Sequence, residues 1–255
     1  MVYELTFDEN GLLDFTQKNI DLIETCISID SRYRRAFDVT NEEGSAWFIK
    51  NNLDFNNEHT IELLCKLIDA ENSTHLSVSG TKTGSENNRG IDEMVKRISG
   101  IPDVEDRIKG GDLLLVDYLA QASDRIYKPS FASKFCTYVA RYRFGSDKFS
   151  IYDKVVQRTI PYYAWNYLGE RYIGRKNSSI SIERGFSNSP KNTIRCYVDY
   201  SNLIERIIEQ INCKRKLKIG RKDFDHMLWY YYKGDESLIN RAIDFVVKRE
   251  SPLFF

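Results

Sequence analysis

The chain has 255 residues, of which 42% are hydrophobic and 29% charged, and its formal net charge is zero. That length buries a substantial core, and the composition excludes an intrinsically disordered chain. No basic region followed by an apolar run opens it, and apolar stretches such as Leu113 to Val116 are far shorter than the roughly eighteen residues of a membrane span.

A cytoplasmic location is therefore expected, with no membrane partner. The cysteines Cys26, Cys65, Cys136, Cys196 and Cys213 are widely separated and form no C-x-x-C pair, so they read as buried free thiols. His59, His75 and His226 show no metal-ligand spacing, and neither a metal nor a cofactor is expected. The charge is unevenly spread. Residues 1–120 hold 12 basic and 23 acidic side chains, whereas residues 121–176 hold 11 and 4, and residues 177–255 hold 14 and 10. A basic face within a neutral chain permits a polyanionic partner.

In chain order, a short strand is predicted around Tyr3 to Phe7 and a helix over 12–29, with Leu12, Phe15, Leu22 and Cys26 near one face. Residues 32–51 read as strand-rich through Phe37, Val39, Trp47 and Ile49. A helix over 57–70 uses Ile61, Leu64, Cys65 and Ile68 as its stripe. Residues 71–90 read as a polar loop, with a short strand at 75–78 as an option; Gly80 to Gly84 lacks the P-loop pattern. Helices follow near Met94 to Ile98, over 113–119 and, after Pro129, over 131–138, which carries Lys134. An extended lead over 149–152 places Asp153 at a helix N-cap. Residues 162–168 are an aromatic helical patch and 177–191 a second polar loop. The last helices are predicted over 202–211, 224–232 and 238–247. The fold class is mainly α, divided into an irregular α+β region over 1–90 and a helical region over 91–255.

Lys134 lies within Phe131-Ala132-Ser133-Lys134-Phe135-Cys136, and Asp153 follows nineteen residues later in Ser150-Ile151-Tyr152-Asp153-Lys154. A neutral lysine amine is a nucleophile, and a nearby carboxylate aligns it and stabilises developing positive charge. The apolar residues around both positions suit fixed, partly desolvated groups. Charged pairs are also common on ordinary surfaces, so composition alone leaves a structural pair open.

The stretch from Pro129 to Arg158 resembles the helix-hairpin-helix DNA glycosylases, nearest their 8-oxoguanine branch. A catalytic lysine opens the second hairpin helix in that family, and a catalytic aspartate follows in a Pro-Val-Asp-x-x-Val-x-Arg context. Lys134, Asp153, Val156 and Arg158 stand at the matching positions. Pro129, Phe131 and Lys134 are kept from the family hairpin, with Ser130 and Ala132 where glycines are usual and Ile151 and Tyr152 in place of Pro-Val. Ser130 reads as a cap for the helix that follows.

The resemblance implies a helix-hairpin-helix glycosylase-like core, looser over 91–248. It implies a base-excision glycosylase acting on duplex DNA that contains an oxidised purine, with β-lyase activity as a coupled step. Lys134 would be the nucleophile and Asp153 its aligning partner. Lys128, Ser130, Arg141, Arg143, Lys148, Lys154 and Arg158 are candidate DNA contacts. Tyr152, Tyr162 and Trp165, with Tyr163 beside them, are candidate walls for a flipped base. The run Lys214 to Lys218 with Arg221 and Lys222 is a further candidate for flanking DNA. The competing reading is a catalytically inactive helical module that binds DNA or mediates a host–phage interaction. Lys134 and Asp153 facing one open, basic-rimmed cleft would favour the enzyme; Lys134 locked into an enclosed ion pair would sink the specific mechanism.

Overall fold

The computed structural model describes residues 5–9, 11–36, 42–72, 74–77, 89–123, 126–170 and 196–233. Among these the chain is mainly helical. The helices are α1 (Gln17–Ala36), α2 (Glu42–Asn51), α3 (Glu58–Asn72), α4 (Arg89–Ser99), α5 (Val104–Gly110), α6 (Leu114–Ala120), α7 (Pro129–Phe144), α8 (Lys154–Leu168), α9 (Tyr197–Arg215) and α10 (Arg221–Lys233). A short antiparallel pair, β1 (Gln121–Ser123) and β2 (Ile126–Tyr127), leads into α7. No helix among the described residues is long and apolar enough to cross a membrane.

The centre of the assembly is α7. It packs against α2, α3, α5 and α6, and every residue from Phe131 to Ala140 is buried. A helix enclosed on all sides needs an apolar surface all round, and any polar member must find its partner inside. Pro129 at its first turn has no N–H to leave unpaired, and Gly145 closes its C-terminus in the left-handed region at φ 63°. The chain then turns back, so residues 149–153 run beside the helix they have just left.

On the other side, α8, α9 and α10 pack on one another, and α1 lies against α10. The apolar core is continuous across residue 90. Ile61, Leu64 and Ile68 of α3 share it with Met94, Val95 and Ile98 of α4, and Phe15 stacks on Phe224 of α10 at 5.3 Å.

The helices expected after residue 56 correspond to α3, α4 and α6 to α10, while α2, α5 and the β1–β2 pair were not foreseen. Two expectations are corrected. The strand-rich reading of 32–51 is replaced by helix at 32–36 and 42–51, because Ser45 and Ile49 are buried four residues apart while Trp47 between them is 63% exposed. The first helix starts at Gln17, since Asp8, Gly11, Leu12 and Leu13 are held in a turn instead. Leu12 N–H donates to the Asp8 carboxylate, Phe7 bridges Leu13, and Gly11 sits at φ 76°. Within 1–90 that bridge is the strand-like pairing among the described residues. The expectations for 1–4, 37–41, 78–88, 177–191 and 238–247 lie outside the described residues.

Candidate active site

Lys134 is one turn into α7, and its burial follows from the enclosure of that helix. Its Nζ donates to Ser130 Oγ at 3.2 Å, four residues back on the same face, and lies 3.8 Å from Asp153 Oδ2. The two side chains are 3% and 9% exposed. Asp153 is the N-cap of α8 in an extended conformation, and its Oδ1 accepts from Val155 N–H at 2.9 Å and Val156 N–H at 3.1 Å. One carboxylate oxygen thus closes a helix end while the other faces the amine. The 3.8 Å separation exceeds the roughly 2.7–2.9 Å of a charge-assisted hydrogen bond, so the pair is close but not hydrogen-bonded in this conformation.

What holds Asp153 there is the backbone before it. Residues 150–152 are buried and belong to no helix or strand, so no sheet neighbour takes their amides and carbonyls. Side chains from three helices do so instead. Tyr197 Oη accepts from Ser150 N–H at 2.9 Å and donates to Ser150 O at 2.6 Å. Tyr200 Oη donates to Ile151 O at 2.6 Å, and Asp225 Oδ2 accepts from Ile151 N–H at 3.3 Å. Ser133 Oγ, adjacent to the lysine, accepts from Tyr152 N–H at 3.0 Å and lies 3.4 Å from Tyr152 O. These four side chains position the site and were not singled out in the sequence. A buried run with no pairing strand is the signal that such partners must exist.

Burial pushes the Tyr197 and Tyr200 phenols up, which keeps both as O–H donors. Asp225 is pushed up to about 6, first by burial and against the pull of Arg141.

The expected DNA contacts divide. Arg141 is an internal group, 7% exposed, with Nε 3.0 Å from Asp147 Oδ1 and Nη2 2.6 Å from Asp225 Oδ2. It follows Lys134 by seven residues, two turns along one face, and so reaches the same buried segment. Its assignment to DNA is corrected accordingly. Ser130 lies inside the first turn of α7 facing Lys134, and the N-cap is Lys128, so the capping role expected for Ser130 is also corrected. Lys128 Nζ donates to Thr74 O and His75 O at 3.3 and 2.9 Å, and burial lowers its pKa. Arg143 bridges Glu105 and Leu53 O, each at 2.7 Å. Lys148 is exposed and donates to Gly110 O, and Lys154 is exposed on the first turn of α8. Arg158 lies on α8, and its side chain falls outside those described.

Of the aromatic candidates, Tyr152 is 1% exposed with its ring edge-on to Tyr200 at 5.1 Å, so it is a core residue and lines no open wall. Tyr163 is buried and bonds Leu13 O. Tyr162 and Trp165 are each 41% exposed, but the helical rise puts them about 13 and 18 Å along α8 from Asp153. They flank the pair without enclosing a base at it. Of the thiols, Cys26, Cys65 and Cys136 are buried as expected, while Cys213 is exposed.

Comparison of the chain with family models, with curated proteins and with solved structures found no match.

Proposed function

We propose that the chain is a base-excision DNA glycosylase with Lys134 as nucleophile and Asp153 as its aligning carboxylate. The reading takes the helical assembly from α4 onward as a helix-hairpin-helix glycosylase-like core, with residues 1–90 as an added region. Its substrate is duplex DNA containing a damaged purine. The observation that carries it is the meeting of two groups nineteen residues apart. The lysine Nζ lies 3.8 Å from a carboxylate whose other oxygen is fixed at a helix N-terminus.

In this chemistry the lone pair of a neutral Lys134 amine forms a bond to the sugar C1′. The bond from C1′ to the damaged base breaks, and the base leaves with the electron pair and takes up a proton. Ring opening gives a Schiff base on the lysine, from which loss of a C2′ proton expels the 3′ phosphate. The Asp153 carboxylate faces the position where positive charge develops. The nucleotide must leave the helix stack to reach the amine. The pair is enclosed in the resting conformation, the arrangement set above against the enzyme, so the reading stands only if the cover over Lys134 and Asp153 moves on binding.

The test is borohydride trapping across a panel of lesion-containing duplexes, with base release measured in parallel. A covalent adduct lost in Lys134→Ala is the expected result. No trapping and no base release across the panel would contradict the reading.

The enclosure of the pair, with Arg141, Arg143 and Lys128 engaged in internal contacts, favours a second reading as a catalytically silent helical module that binds DNA or a host–phage partner. That reading expects duplex binding without base release, unchanged by Lys134→Ala beyond its local effect on the fold.

A further inference from the structure

The turn between α9 and α10 holds six basic side chains in nine residues, Lys214 to Lys222. It is a fixed structure. Asn212 accepts from Ile219 N–H at 2.9 Å and donates to Ile219 O at 3.0 Å, while Ile219 itself is buried. Three of the six cations have internal work. Lys214 Nζ lies 3.2 Å from Tyr167 O, Arg215 pairs with Asp14 at 2.7 Å, and Arg221 bonds Ser150 Oγ, Ser201 O and Glu205.

Lys216, Lys218 and Lys222 are exposed. None of the three makes a side-chain hydrogen bond or ion pair among the described residues, although the charge of Lys222 helps to lower the Glu24 pKa. Lys216 also occupies the left-handed cap of α9 at φ 55°, where glycine is the residue without strain. The helix-end dipole accounts for cations in the last turn of α9. It does not account for Lys218 and Lys222 beyond that turn.

The turn is tied to the candidate site. Arg221 bonds Ser150, and Lys222 N–H donates to Asp147 Oδ2 at 2.8 Å. Ser150 precedes Asp153 by three residues, a reach of at most about 10 Å. We infer that Lys216, Lys218 and Lys222 form a phosphate-contacting surface for the duplex DNA whose base reaches Lys134, an assignment that rests on DNA being the partner in the proposed function. The backbone amides of Lys216, Leu217, Ile219, Gly220 and Lys222 are already taken, those of Gly220 and Lys222 by Asp223 and Asp147. Contact is therefore made chiefly by side-chain charge, which positions DNA without reading its sequence.

Binding of a short lesion-free duplex, measured over a salt series, tests this. The comparison is with the triple variant Lys216→Gly, Lys218→Ala, Lys222→Ala, where glycine suits the left-handed cap. Each lost phosphate contact lowers the slope of log K against log salt by about 0.9, so a fall of about 2 to 3 is expected. Arginine at the three positions is expected to restore the slope. Should the triple variant fail to fold, Lys218→Ala and Lys222→Ala singly are each expected to lower the slope by about 1.

An unchanged slope in a folded variant overturns the inference. So does failure of arginine to restore it, or a parent protein that binds polyglutamate and not duplex. Trapping of the same proteins on lesion-containing duplexes, assayed in parallel, separates the two proposals. A lost slope without trapping upholds the surface and sinks the glycosylase; trapping with an unchanged slope does the reverse.

Discussion

The two oxygens of Asp153 do different work, and substitutions can separate them. Asparagine caps a helix about as well as aspartate, whereas alanine does not cap, at a cost of about 1 kcal/mol. Asp153→Asn and Asp153→Ala both remove the charge facing Lys134, so both are expected to lose trapping. Denaturant unfolding should place them about 1 kcal/mol apart, and equal stability would show that the cap contributes nothing. Removing one member of a buried pair strands the other. The double variant Lys134→Met, Asp153→Asn is therefore expected to be more stable than Asp153→Asn alone. Asp225 gives a pH signature with the opposite sign to an ordinary salt-bridged carboxylate. Burial raises its folded pKa to about 6, above the unfolded value, so the folded protein holds this proton more tightly. Its contribution to stability is complete below about pH 4 and is lost as pH rises through about 6. Glu24, lowered chiefly by its bond to His226, acts the other way. Asp225 is therefore read from a difference: the parent minus Asp225→Asn should decline from pH 4 to 6, and a flat difference would refute the assignment.

At the scale of elements, the unit that matters is α7, the run 149–153, and α8. Tyr197→Phe leaves the buried N–H and C=O of Ser150 without their shared hydroxyl, a loss of about 1–3 kcal/mol. Urea unfolding would show it, and a change within about 0.5 kcal/mol, as at an ordinary surface position, would mean the run is held otherwise. The site was partly legible in the sequence. Pro129 and the apolar residues after it announced α7, and the capping potential of Asp153 announced α8, so the lysine and the aspartate fell at the starts of consecutive helices. The partners of the run were not legible, because Tyr197, Tyr200 and Asp225 come from distant positions. Tyr152 misled for a related reason. Ile151, Tyr152 and Asp153 are all buried because the run threads the interior, where alternation between an inner and an outer face does not apply. Arg141 looked like a phosphate ligand because sequence shows charge but not its internal partners, Asp147 and Asp225. In α2, β-prone residues suggested a strand, whereas the four-residue interval between Ser45 and Ile49 carries the helical period.

On the whole-molecule scale, one apolar core joins α1–α3 to the helices that follow. The described residues should then unfold together, with fluorescence and far-ultraviolet circular dichroism tracing the same transition. Two separated transitions would contradict this. The overall charge of zero conceals an acidic first half and a basic remainder, so DNA binding is expected to depend steeply on salt despite the neutral total.

The proposed chemistry stands on Lys134 as the nucleophile. It is tested most directly by trapping the protein on a lesion-containing duplex with borohydride and mapping the adduct by peptide mass spectrometry. A sugar remnant is expected on Lys134 in the parent protein and none in Lys134→Ala. An adduct mapped to another lysine, such as the exposed Lys154, or no adduct on any duplex bound by the folded protein, would contradict it.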